Sequence, residues 1–290
     1  RSTLFPYTTL FRSPYSVIEA GGRVRQEFEY GAGGVVGILT PQSNTTVEPE
    51  LAVLLPADTN MLVGRLRSSR EQLADRLREY LETVGTAFSQ LSAIQLDVLY
   101  FACTGACYEL GAEREAELLR AAVGGRCDVI SAAGAVDKAL AVAGARRLAI
   151  VSPYPRWLTD ACSRFWADRG FDVRQVVQIH EDNVAADIYG LRTERVEAAL
   201  AAVNQHGVDA VLLAGTGMPT LGTLVKRSQL SQHALVLSAN ACMSWYVTQT
   251  LASEPLSAAS LQEFMSPAAQ WSERFALRFP RTFARTQTER

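Results

Sequence analysis

Histidine is scarce in this chain: three residues in 290, His180, His206 and His233, far from one another and from every glycine-rich turn. A hydrolase built on a histidine base, or a zinc centre, is a poor expectation on that inventory. The five cysteines (Cys103, Cys107, Cys127, Cys162 and Cys242) are odd in number and lack the spacing of a metal site or a short disulfide framework. They suit a reducing, cytoplasmic compartment. No apolar run approaches the roughly 18 residues of a membrane-spanning helix. Lys and Arg total 28 against 30 Asp and Glu, a net charge of -2, so the basic excess that neutralises phosphates is missing. Nucleic acid and membrane are therefore not expected as partners. A P-loop lysine is absent and Gly215–Thr220 does not complete a dinucleotide fingerprint, which disfavours cofactor binding.

What is present is an ordinary globular composition, 48% hydrophobic and 20% charged, in which short apolar runs alternate with helical patterns. Strands are expected at 35–39, 98–102, 128–130, 147–151, 172–178, 209–214 and 234–237. Helices are expected at 48–55, 69–89, 109–123, 134–142, 157–169, 193–206, from 221, and at 241–251. Near-continuous apolar strands between helices call for parallel sheets covered on both faces. The sequence also repeats itself at a distance of 112 residues. Val35–Leu39 runs into Thr40-Pro41 and Leu148–Val151 into Ser152-Pro153; Val98–Ala102 runs into Cys103-Thr104-Gly105 and Val211–Ala214 into Gly215-Thr216-Gly217. The expected fold is α/β, two pseudo-symmetric doubly wound halves, 35–143 and 144–255, with a cleft between them.

Both ends fall outside that pattern. Residues 1–13 have no helical or strand period and read as a non-native segment. Residues 256–290 form a C-terminal tail. Within it Trp271, Phe275, Leu277, Phe279 and Phe283 alternate with Arg274, Arg278, Arg281 and Arg285. This stretch reads first as a mobile, partly ordered tail and second as an amphipathic helix on the body or on a partner subunit of a homo-oligomer.

Four turns at strand ends could carry chemistry. Thr40–Thr46 is dense in hydroxyls and amides at a helix start and suits a carboxylate ligand, or is an ordinary cap made by Asn44 or Thr45. Cys103-Thr104-Gly105 puts a thiol where a helix dipole can lower its pKa. Ser152-Pro153-Tyr154-Pro155 offers a phenol, and Gly215-Thr216-Gly217 offers close backbone approach and a hydroxyl. Cys107, Cys127, Cys162 and Cys242 read as structural.

Together Ser43–Glu48, Tyr100–Thr104, Ser152-Pro153-Tyr154, Asp182-Asn183 and Gly217–Leu221 resemble the maleate isomerase and arylmalonate decarboxylase branch of the aspartate/glutamate racemase superfamily, over about residues 35–252. The resemblance implies cofactor-independent, metal-free chemistry on a small dicarboxylate between two flavodoxin-like halves. It implies Cys103 and Tyr154 as the catalytic pair, and Asn44, Tyr154 and Asn183 as carboxylate-holding residues. Thr104 and Tyr154 match the pocket for a developing dianion. Thr45, Gly105, Gly215, Thr216 and Gly217 complete the expected substrate-binding set. The family's second cysteine matches Gly215, so the chain departs from the pattern there. With one thiol, a two-base racemase is disfavoured. The leading expectation is an arylmalonate-type decarboxylase with Cys103 as proton donor, followed by a maleate-type isomerase with Cys103 as nucleophile, and then by an inactive carboxylate-binding paralogue. Gly215→Cys is expected to add a second acid and racemase activity.

Overall fold

The computed structural model describes residues 16–18, 24–26, 28–91, 93–179, 188–230, 233–266 and 269–288; residues 1–13 lie outside them. A short antiparallel pair, β1 (Ser16–Ile18) and β2 (Val24–Gln26), precedes the body. The first half runs β3 (Gly34–Pro41), α1 (Val47–Leu54), β4 (Thr59–Leu66), α2 (Leu73–Glu82), α3 (Val84–Ser89), β5 (Val98–Phe101), α4 (Thr104–Leu110), α5 (Ala112–Val123), β6 (Asp128–Ser131) and α6 (Ala132–Val142). The second half runs β7 (Arg147–Ser152), α7 (Arg156–Asp168), β8 (Asp172–Gln178), α8 (Thr193–Ala201), β9 (Ala210–Leu213), α9 (Leu221–Leu230), β10 (Leu235–Ser238) and α10 (Ala239–Leu251). Helices α11 (Ala258–Phe264), α12 (Gln270–Arg278) and α13 (Pro280–Thr288) close the chain.

Each half holds a four-stranded parallel sheet, ordered β4-β3-β5-β6 and β8-β7-β9-β10. The central strands are the apolar ones. Ile38, Leu39, Leu99, Tyr100, Ile150, Val151, Leu212 and Leu213 are fully buried because helices cover both sheet faces. The repeat reaches the register: Val36 pairs with Val98 in the first sheet, and Leu148 with Ala210, each 112 residues on, in the second. It reaches the polar ties as well. Asp97 Oδ2 accepts the Val35 N–H at 2.7 Å, and Asp209 Oδ2 accepts the Arg147 N–H at 2.8 Å. Ser131 and Ser238 each cap the helix after the last strand, accepting from Gly134 N at 2.8 Å and Ala241 N at 3.2 Å.

Besides the β1–β2 pair, which the sequence reading does not contain, the structure departs from that reading in four places. β4 is an additional strand; as a sheet edge it is half-buried along most of its length, so its apolar run is interrupted. The helix expected over 69–89 breaks at Thr83, whose hydroxyl bonds back to the Glu79 carbonyl at 2.6 Å. The helix expected from 109 is two helices divided by Gly111, whose φ of +81° only glycine adopts cheaply. The tail is helical and packed. Trp271 and Phe275, one turn apart on α12, are buried, and Arg274 donates to the last carbonyls of α1, Val53 O at 2.7 Å and Leu54 O at 3.2 Å.

Candidate active site

The carboxyl ends of β3, β5, β7 and β9 carry the four polar turns, and the structure brings them together. Cys103 follows β5 and stands at the start of α4 with a non-helical backbone (φ -143°, ψ 85°). The N–H groups of Gly105 and Ala106 face its sulfur and favour the thiolate, but burial outweighs them and pushes the thiol up to about 12. The helix-start setting expected to lower this pKa is present, and desolvation overrides it. Cys107 lies one turn behind, its thiol donating to the Cys103 carbonyl at 3.2 Å.

Thr104 and Tyr154 come from different halves and share a hydrogen bond of 2.5 Å. The Tyr154 ring is held edge-on by Tyr108, centroids 6.1 Å apart, and burial pushes its phenol well above the usual range. From the first half, Asn44 accepts the N–H groups of Thr46 and Val47 at 2.9 and 3.0 Å on Oδ1. That pairing fixes which way the amide points: its NH2 faces Thr216 Oγ1 of the second half at 3.5 Å. Thr216 in turn donates to the Ala102 carbonyl at 2.9 Å, beside Cys103, and Thr46 donates to the Gly217 carbonyl at 2.9 Å. Asn44, Cys103, Thr104, Tyr154 and Thr216 are each at most 4% exposed. The arrangement is a buried cluster of neutral hydroxyl and amide groups beside one thiol, of the kind that can turn to a carboxylate and to negative charge that develops next to it.

Other expected residues fall differently. Thr45 is an exposed rim residue whose hydroxyl donates to the Tyr189 carbonyl at 3.5 Å. Gly105 contributes its N–H, while its Cα side packs toward Leu77 and Leu158. Gly217 lies against the Tyr189 ring, which a Cβ there would meet at 2.7 Å. Gly215 is the informative case. Its φ is +143°, and a Cβ would stand 2.9 Å from Pro153 Cγ and 3.3 Å from the Tyr154 phenol oxygen. The wall opposite Cys103 is thus not an empty place for a thiol, because Pro153 and Tyr154 of the same half fill it. Asn183 lies outside the described residues.

Two tyrosines near the thiol went unread in the sequence. Tyr80 on α2 faces the Gln42 N–H, and burial together with the charge of Cys103 pushes it up to about 12. Tyr189, in the short 3-10 turn Ile188–Gly190, is raised by burial and then by the charge of Cys103. Tyr80 shares helical spacing with Leu73 and Leu77 and so reads as core; Tyr189 belongs to no motif. At the rim Arg65 of β4 pairs with Glu48 and donates to the Asn44 carbonyl at 3.4 Å. Among the described residues no group of three or more His, Cys, Asp or Glu is placed to hold a metal ion. Among the same residues no helix is long and apolar enough to cross a membrane.

Comparison with known proteins gives this geometry a family. A maleate isomerase of Pseudomonas putida is 27% identical over 235 residues, covering 76% of this chain and 93% of its own. The solved structure of a Nocardia farcinica maleate cis-trans isomerase, a cysteine-to-serine variant with a covalently bound succinylcysteine intermediate, superposes with a TM-score of 0.66 at 22% identity, over 79% of this chain and 98% of that one. An arylmalonate decarboxylase structure gives 0.62 at 18% identity, over 75% and 92%. The family model described as arylmalonate decarboxylase matches residues 36–264, and the chain belongs to that family.

Proposed function

We propose that the protein is a cis-trans isomerase of a small unsaturated dicarboxylate such as maleate, with Cys103 as nucleophile. The observation that carries this reading is the single thiol beside a buried set of neutral hydroxyl and amide groups drawn from both halves: Asn44 and Thr104 from one, Tyr154 and Thr216 from the other. The curated relatives are maleate isomerases, and an isomerase variant with one cysteine replaced by serine carries a succinylcysteine adduct. One thiol is enough for the chemistry on paper. Sulfur forms a bond to one alkene carbon as its proton is released, and the π electrons pass into the neighbouring carboxylate, where hydroxyl donors meet the charge. The adjacent carbon takes up a proton, so the sum is addition of S–H across the double bond. The new single bond rotates, and reversal expels the thiol and leaves the trans alkene. Electrons and protons balance without a second thiol.

The decarboxylase reading that led the sequence analysis keeps one point in its favour. Burial holds Cys103 as a neutral thiol, which is the form that delivers a proton to an enediolate after carbon dioxide leaves. The two readings separate in one assay. Incubation with maleate and, in parallel, with phenylmalonate is expected to give fumarate by NMR and no carbon dioxide; carbon dioxide from phenylmalonate without fumarate from maleate reverses the assignment. Five cysteines free of disulfides support a cytoplasmic setting.

A further inference from the structure

Glu50 is an acidic side chain of the first half, yet every hydrogen bond the structure gives its carboxylate comes from the second. The backbone N–H groups of Thr220 and Leu221, the latter at 3.2 Å, donate to Oε1 at the N-terminus of α9. The Thr220 hydroxyl lies 3.1 and 3.0 Å from the two oxygens, and Asn240 Nδ2 donates to Oε2 at 2.8 Å. Glu50 is 4% exposed; burial pushes its pKa up and these donors pull it down.

The same amide of Asn240 also donates to the Thr216 carbonyl at 3.1 Å. Thr216 carries the hydroxyl that faces Asn44, and Asn44 accepts the Thr46 and Val47 N–H groups at the start of α1, the helix on which Glu50 sits. The bonds close a circuit across the cleft: Asn44, α1, Glu50, Asn240, Thr216 and back to Asn44. A structural tie between halves needs no charge, and a buried carboxylate is costly unless several donors converge on it. Here they converge from Thr220, Leu221 and Asn240, next to the turn that carries Thr216.

We propose that Glu50 is a positioning residue for the carboxylate cradle: it holds the Thr216-Gly217 turn of one half in register with Asn44 of the other. The proposal rests on reading this cleft as a dicarboxylate site. Glu50→Gln keeps the shape but presents an NH2 where N–H donors converge, and leaves at least one of them unpaired. Asn240→Ala cuts the link to Thr216 while leaving Glu50 on α9.

Succinate, a saturated and unreactive dicarboxylate, tests this by calorimetry on the full chain, with KM and kcat for maleate measured beside it. Both variants are expected to lose about 10- to 100-fold in succinate affinity, with a matching rise in KM and a smaller change in kcat. A purely structural tie lowers the melting temperature of both variants and leaves affinity and KM unchanged below it. That result overturns the proposal and leaves the dicarboxylate reading intact. If Glu50→Gln does not fold, Asn240→Ala decides by the same measure. A wild-type protein that neither binds succinate nor converts maleate removes the reading, and the proposal with it.

Discussion

At the scale of single residues, the chemistry depends on how far burial opposes the helix start at Cys103. A thiol held at about 12 is almost wholly protonated near neutral pH, so it alkylates slowly there in the empty protein. Cys127, half-buried and pushed to about 11, is the more accessible thiol. Mass spectrometry after iodoacetamide treatment is therefore expected to find Cys127 modified before Cys103. Cys103→Ser is expected to abolish turnover while leaving the fold; retained activity in that variant sinks both the isomerase and the decarboxylase mechanisms. The same shift sets a stability trend. Cys103 keeps its proton in the folded state above the pH at which the unfolded chain, near the ordinary value of 9.0, releases it. Its contribution is complete below about 9 and falls as pH rises toward 12, so alkaline solutions lower the melting temperature. Thr104→Val and Tyr154→Phe each remove one partner of the 2.5 Å bond between halves. Loss of one donor to developing charge costs about 100- to 1000-fold in turnover; near-normal kcat in both variants places the substrate elsewhere.

At the scale of elements, the C-terminal helices show what the sequence conceals. Arg274 looks like one of several solvated arginines, but it closes the end of α1, at whose other end Asn44 accepts N–H groups in the candidate site. Arg274→Ala leaves two buried carbonyl acceptors without that donor, at roughly 1–3 kcal/mol, and thermal denaturation is expected to shift downward accordingly. An unchanged midpoint means that water replaces the guanidinium at no cost. The parallel strands and the four site turns were legible because buried strands are continuously apolar and polar side chains at their ends stand out against them. Asn44, Cys103, Thr104, Tyr154 and Thr216 were found in this way, and the structure gathers them. β4 was not legible: Thr59–Leu66 is an edge strand, half-buried, and broken by Gly64 and Arg65. The tail was misread because the rings of Trp271 and Phe275 declare a buried face only once α1 is there to receive them. Glu50 lay in the helix expected over 48–55, two residues past the recognised Ser43–Glu48 motif, and nothing in the sequence places it at the N-terminus of α9, 170 residues away.

At the scale of the whole molecule, the halves agree in strand order, register and polar ties, and differ where chemistry is expected. If both walls carried a thiol, a proton could leave one face of an α-carbon and return to the other. Here the second wall is Gly215 at φ +143°, with Pro153 and Tyr154 in the space a side chain would enter. The protein is accordingly expected to work from one face only: a single enantiomer of an α-aryl propionate incubated in D2O keeps its configuration on chiral chromatography. Gly215→Cys, which from sequence alone promises a second acid and racemase activity, meets a different expectation in the structure. An L side chain held in this backbone region costs roughly 1–3 kcal/mol, on the order of 2–10 °C in melting temperature for a chain of this size. The contact with Pro153 adds to it. The variant is expected to be less stable and still unable to invert the substrate, and Pro153→Ala in the same chain is expected to recover part of the lost stability by opening the space. Inversion by Gly215→Cys alone, at an unchanged melting temperature, would mean that the turn relaxes freely and that the missing thiol is the whole of the asymmetry.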